Sequence, residues 1–287
     1  MPSSEPSVAV VGHVEWVQFA RVPHVPRAGE VVHAQDPFEE PAGGGAVAAV
    51  QLARLAGTAV LVTALGGDEH GHRSAARLAE LGVEVRAATR SAPTRRAVAL
   101  VDERGERTIT TFGPRLEPRA DDRSARWDAL RGVDAVYFTA GDLGALRAAR
   151  AAARVLVASP RARHALGHGV ELDALILSGD DEIERRALAR AREEAALVLY
   201  TEGARGGHYE ARLGASGRWE AAAPPGEPVD SYGCGDSFAA GMTYALGAGL
   251  EIPAALALAA RCGAACLTGR GPYSVQLGAE DLAAGDN

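Results

Sequence analysis

The chain has no lysine. All 30 of its basic residues are arginine, and asparagine occurs only once, at the terminal Asn287. A P-loop nucleotide-binding protein needs the lysine of Gly-x-x-x-x-Gly-Lys, a protein kinase needs its strand lysine, and a pyridoxal enzyme needs one for its Schiff base. All three classes are excluded. Cysteine is scarce as well: Cys234, Cys262 and Cys266 are an odd number without paired metal-ligand spacing. That rules out a disulfide framework, and Cys262 and Cys266, four apart, read as packing residues on one face of a buried helix, as in a cytoplasmic protein. No apolar run approaches the length of a membrane span, and Met1 to Val11 carries no basic residue ahead of its apolar stretch, unlike a signal peptide. A net charge of −7 speaks against a nucleic acid or an anionic membrane as the main partner.

What is present alternates. Over 287 residues, enough for one large α/β domain or two small ones, Val8 to Val11 reads as a buried first strand ending at Gly12. Val14 to Ala34 reads as two short strands around Pro23 and Pro26. A helix runs from Gly45 to Gly57, a strand from Ala59 to Leu65, a helix from His70 to Leu81 capped by Asp68, and a strand from Val83 to Ala88. Ala97 to Val101 and Arg107 to Phe112 flank Asp-Glu-Arg-Gly, a hairpin signal. Strands are then expected at Val133–Thr139, Val155–Ser159, Ala174–Ser178 and Leu197–Thr201, with helices near 143–153, 161–168 and 181–195. This rhythm predicts an α/β fold: a doubly wound, mostly parallel sheet with helices on both faces. The two early hairpins break the rhythm and predict a small β lid built from segments about 14–40 and 97–112, within a single domain spanning 1–287.

One stretch carries chemistry. Asp230 to Gly241 reads Asp-Ser-Tyr-Gly-Cys-Gly-Asp-Ser-Phe-Ala-Ala-Gly. A Gly-Cys-Gly turn running into an apolar helix directs unpaired backbone N–H groups at one point, where the helix dipole also favours negative charge. Asp236 beside such a pocket would repel a bound phosphate at rest, but suits a base that takes a proton while charge develops on a transferred group. Aspartate is also a preferred helix cap.

Asp230, Gly233, Gly235, Asp236, Phe238 and Gly241 together resemble the C-terminal signature of the PfkB (ribokinase-like) carbohydrate kinases, Asp-Thr-x-Gly-Ala-Gly-Asp-x-Phe. Ser231 stands at the usual Thr and Cys234 at the usual Ala. Gly43 and Gly44, with Ala49 and Ala-Arg-Leu at 53–55, resemble the family's N-terminal signature, in which Val47 occupies the position of a substrate-binding Asn. The resemblance implies a ribokinase-like core with a lid, and transfer of the γ-phosphoryl of ATP to a hydroxyl of a sugar or nucleoside. It implies Asp236 as base and the amides of Gly233, Cys234 and Gly235 as an anion hole. Gly43, Gly44 and Val47 fall at the substrate. Glu15, the only carboxylate near the position of the family's sugar-gripping Asp, would accept hydroxyl hydrogen bonds or simply be solvated, with His13 and Trp16 nearby. Arg161 would support the phosphoryl group. Thr201, Gly203 and Gly206 match the family's nucleotide turn, Thr-x-Gly-x-x-Gly. In Ser178-Gly-Asp-Asp-Glu182, Gly179 replaces the family's Asn while Glu182 keeps the Glu that lies near Mg²⁺. Lids of this kind pair into homodimers in some members.

Two rival classes follow from the same residues. The changes at Val47 and Gly179 suit a degenerate member that senses a nucleotide or metabolite without turnover. A dinucleotide oxidoreductase would share the sheet pattern, but Gly12 is followed by His-Val-Glu-Trp and not by x-Gly-x-x-Gly.

Overall fold

The computed structural model describes residues 5–283, so Asn287 lies outside them. The chain starts with β1 (Val8–Val11), which is buried on both faces, then β2 (Glu15–Arg21) and β3 (Gln35–Ala42). Next come α1 (Gly44–Ala56), β4 (Ala59–Gly66), α2 (Glu69–Glu80) and β5 (Val83–Arg90). Asp68 caps α2 as expected, its carboxylate accepting from Gly71 N at 2.9 Å. The hairpin β6 (Arg96–Val101) and β7 (Arg107–Phe112) follows, then β8 (Val133–Phe138), α3 (Leu143–Ala152) and β9 (Ala153–Ala158). β10 (Leu172–Ser178), α4 (Glu182–Ala187), α5 (Ala189–Glu194) and β11 (Ala195–Thr201) continue the alternation. A meander of β12 (Gly207–Ala211) and β13 (Ser216–Trp219) precedes α6 (Cys234–Gly247), α7 (Ile252–Leu267) and the short α8 (Ala279–Ala283).

Nine strands form one sheet in the order β13-β12-β11-β10-β9-β8-β1-β4-β5, parallel from β11 to β5 and antiparallel at β12 and β13. Alternate residues of each strand enter two separate cores. Val8, Val10, Tyr137 and Val157 face α1, α6 and α7, while Ala9, Val11, Phe138 and Leu156 face the side of α3. From β1 the chain builds one way through β4 and β5, then the other way through β8 to β11. Open α/β sheets bind ligands outside the carboxyl ends of strands at such a reversal.

β3-β2-β6-β7 form a second sheet, with antiparallel hairpins joined by a parallel β2–β6 pairing. It joins the two early hairpin segments in space, but its second strand is not the one expected before Ala34. The segment with Pro23 and Pro26 forms no strand, and the pairing falls to Gln35–Ala42. That strand carries Pro37 and Pro41, which an edge strand tolerates because no central ladder needs their missing N–H groups. At the other edge β7 is exposed along its whole length.

Two expected helices also differ. The segment 161–168 is a single 3₁₀ turn, Pro160–Ala162, followed by Gly167 and Gly169, both at φ +79° and incompatible with a continuing helix. The segment 181–195 divides into α4 and α5 at Leu188, whose side chain turns inward to be buried.

Candidate active site

α6 starts where the sequence predicts, and its entry is tightly specified. Gly233 caps it at φ +87°, and a Cβ there would lie 3.0 Å from the Val47 side chain and 3.1 Å from Pro272. Ser237 N is taken up by Gly233 O at 2.8 Å, and Cys234 N reaches Ser231 O only at 3.5 Å. The amides of Gly235 and Asp236 are first-turn donors, which a helix leaves without an intrahelical acceptor. Gly235 has open space where a side chain would be.

Asp236 is 5% exposed and meets Arg161, which the 3₁₀ turn after β9 delivers. Nη1 lies 2.7 Å from Oδ1 and Nη2 lies 3.4 Å from Oδ2. The carboxylate's charge holds the arginine even more firmly protonated than usual. α1 can approach this pair only because it begins with glycine. A Cβ on Gly44 would sit 3.1 Å from Asp236 Oδ1, 3.1 Å from Thr139 Oγ1 and 3.2 Å from Arg161 Nη1.

Three cavities converge here. A space of about 660 Å³ is bounded by Thr201, Gly203 and Gly206 on one side, Trp219 and Phe238 on another, and by Gly235 at its inner end. Trp219 and Phe238 stack with ring centres 5.7 Å apart, giving it a flat apolar wall. A smaller space of about 240 Å³ lies under the second sheet, walled by His13, Glu15, Gly43, Gly44, Gly233 and Asp236, with four arginines. A third, of about 220 Å³, links Arg161, Thr201 and Gly235 at the ends of β9 to β11. Asp236 thus borders the small cavity, while the next residue back, Gly235, borders the large one.

Glu15 proves to be buried, not solvated, at 6% exposure. Its Oε1 is 3.2 Å from Arg95 Nη1 and 3.6 Å from His13 Nε2. Burial raises its pKa against the opposing pull of Arg95, Arg161 and Arg115. Burial, reinforced by the same three guanidiniums, holds His13 well below the usual imidazole value, so it stays neutral. Asp230 holds the loop in shape: its carboxylate accepts from Tyr232 N at 2.8 Å and Gly271 N at 3.1 Å. The Tyr232 hydroxyl in turn accepts from Gly43 N at 3.2 Å, tying the two glycine-rich segments together.

The structure therefore brings together Asp236, Gly233, Cys234, Gly235, Gly43, Gly44, Glu15 and Arg161, with Thr201, Gly203 and Gly206 across the large cavity. It leaves others apart. Val47 is wholly buried behind Gly233 and walls neither cavity. Trp16 turns away to stack on His70 beneath Arg73. Glu182 is an exposed residue paired with Arg186 one turn along α4. The Cys234 thiol is driven up by its hydrogen bond with Cys266 and by burial, so it is no thiolate nucleophile. Sequence reasoning missed Arg95, Arg107 and Arg115 in the small cavity, and Trp219 on the large one. Among thirty arginines no sequence signal singled out those three.

A family model, the pfkB family carbohydrate kinase, matches residues 5–166 and 169–277. The chain belongs to this family. A search of curated proteins returns no match. Among solved structures, the pfkB-family chain is similar to ribokinase from Giardia lamblia at a TM-score of 0.80 and 17% identity, covering 98% of both chains. It is also similar to Arabidopsis thaliana ribokinase, solved with ribose and ATP, at a TM-score of 0.77 and 20% identity, covering 97% of this chain and 98% of that one. A microbiome-derived acarbose kinase matches at a TM-score of 0.80 and 23% identity over 98% of this chain and 99% of the other. At these identities the likeness speaks to the fold, and the pfkB-family match carries the membership. Among the described residues, no helix is long and apolar enough to cross a membrane.

Proposed function

We propose that this pfkB-family protein transfers the γ-phosphoryl of ATP to a hydroxyl of a sugar-like acceptor. The observation that carries the reading is the position of Asp236, at the first turn of α6 and between an apolar cavity large enough for a nucleotide and a small polar one. ATP would lay its base against Trp219 and Phe238, near the Thr201, Gly203 and Gly206 turn, and direct its phosphates at the N-terminus of α6. The acceptor would lie in the small cavity with hydroxyls on Glu15.

In the transfer, Asp236 takes the hydroxyl proton as that oxygen attacks phosphorus, the bond to the β,γ-bridging oxygen breaks, and ADP leaves. Of the expected hole at Gly233, Cys234 and Gly235, the Cys234 amide is drawn toward Ser231 O, so the amides of Gly235 and the following Asp236 would face the charge that develops on the moving group, in place of the lysine this chain lacks. Arg161 neutralises Asp236 at rest. When the phosphoryl group arrives, the guanidinium can turn to it and leave the carboxylate free to accept a proton. The second sheet would act as a lid that keeps water from the phosphoryl group.

Among the described residues no three His, Cys, Asp or Glu side chains form a metal cluster. Glu182, the residue the family resemblance offers to Mg²⁺, is exposed, paired with Arg186 and outside the walls of the three cavities, so it would hold the ion only after giving up that pair. The ion would supply charge neutralisation of the triphosphate.

The engagement of both Asp236 oxygens by Arg161 is what a nucleotide sensor without turnover would also use. ADP release from ATP, measured by a coupled assay across a panel of sugars, sugar acids and nucleosides, separates the two. Acceptor-dependent ADP is the expected result, and nucleotide binding with no ADP from any acceptor would favour the sensor.

A further inference from the structure

The small cavity holds more positive charge than a neutral sugar calls for. Arg95 precedes β6, Arg107 opens β7, Arg115 follows β7, and Arg161 comes from the core; all four wall the cavity. Only two carboxylates face them, and each is already matched: Asp236 to Arg161 at 2.7 Å and Glu15 to Arg95 at 3.2 Å. Arg107 Nη1 donates to neutral oxygens only, the Ser231 carbonyl at 3.1 Å and its hydroxyl at 3.0 Å. Arg115 pairs with Glu117 at 2.7 Å, but Glu117 is no part of the cavity wall. His13 contributes no charge. Within the wall, Arg107 and Arg115 face no carboxylate of their own.

The wall thus carries four guanidiniums against two carboxylates, because the partners of Arg107 (Ser231) and Arg115 (Glu117 and the Arg161 carbonyl) bring no negative charge into it, and an occupant that does so is favoured there. The planar fork of arginine fits carboxylate and phosphate alike. The volume of about 240 Å³ equals roughly eight waters at ~30 Å³ each, the scale of one sugar ring and not of an oligosaccharide.

We propose that the acceptor is an anionic monosaccharide, its carboxylate or phosphate held by Arg107 and Arg115 and its reacting hydroxyl turned toward Asp236. The placement of the hydroxyl rests on the phosphotransferase reading above; the charge of the occupant does not. Arg107 also borders the large cavity, so service to the nucleotide phosphates alone is the competing assignment for it.

The test is calorimetric titration of the intact protein with glucose, gluconate, glucose 6-phosphate, fructose and fructose 6-phosphate at low and high NaCl, with ADP release followed in parallel. At least one anionic probe should bind about tenfold or more tighter than its neutral parent, with the advantage shrinking as salt rises. Arg107→Gln and Arg115→Gln should each erode that advantage, with circular dichroism showing that both variants remain folded. Whether gluconate or the phosphates win distinguishes the two sources of charge. Equal binding of parent and anion, no binding of any anionic probe, or a preference untouched in both variants would overturn the proposal. Anion binding without ADP would support the charge assignment and count against phosphoryl transfer; ADP from neutral sugars alone would do the reverse.

Discussion

His13 shows how burial beside arginines sets the chemistry of a single side chain. It is 4% exposed, and its pKa is held well below 6.5 by burial first and then by Arg161, Arg115 and Arg95. In the unfolded chain it would titrate near its ordinary value of about 6.5. A depressed folded pKa contributes stability that is present above the unfolded value and is lost as pH falls toward the folded one. The melting temperature should therefore drop on acidification below about pH 6.5, and His13→Gln should lose less than wild type over that range. A gap between the two proteins that stays constant with pH would contradict the assignment. His13 was visible in the sequence as a neighbour of Glu15, but its environment was not, because the arginines around it come from the two ends of the β6–β7 hairpin and from the turn after β9. Glu15 teaches the same lesson. From the sequence it reads equally as a hydroxyl acceptor or as solvated, and its burial comes from a place in the cavity wall beside His13, Gly43 and Arg95.

Among the elements, the turn into α6 concentrates the constraints. Gly233 sits in the left-handed region, where any side chain is strained, and its missing Cβ leaves room for Val47 and Pro272. Gly233→Ala should destabilise the fold by about 1–3 kcal/mol and reorient the first amides of the helix. Chemical denaturation measures the first effect and turnover the second. A variant equal to wild type in both would mean that the turn tolerates substitution. This element was legible because glycine, aspartate and an apolar helix occur at fixed spacing along a few consecutive residues. The regions misread were those where tertiary contacts override local signals. β3 forms across two prolines because its partner β2 lies on one side only, and the expected helix at 161–168 yields to Gly167 and Gly169. That same short turn delivers Arg161 to Asp236, which a longer helix register would not have suggested.

At the scale of the molecule, the strand–helix rhythm after Val133 made the parallel sheet readable, because buried parallel strands are continuous apolar runs. The reversal of strand order at β1 then dictates where the strand ends converge, and Gly12, Thr139 and Ser159 meet there. Thr139 and Ser159 share a hydrogen bond of 3.0 Å, and a Cβ on Gly12 would lie 2.6 Å from both Gly45 and Thr139. What sequence could not convey was the charge balance of the enclosed space, since that depends on residues from β2, the β6–β7 hairpin and the core meeting across one gap.

Phosphoryl transfer here turns on one carboxylate, and the Asp236→Asn variant addresses it directly. Asparagine keeps the shape but cannot take the acceptor's proton, so ADP formation with the best acceptor should fall by roughly two to four orders of magnitude. Circular dichroism should stay that of the wild type, although loss of the Arg161 pair lowers the melting temperature. Turnover close to wild type in a folded Asp236→Asn protein would contradict the claim.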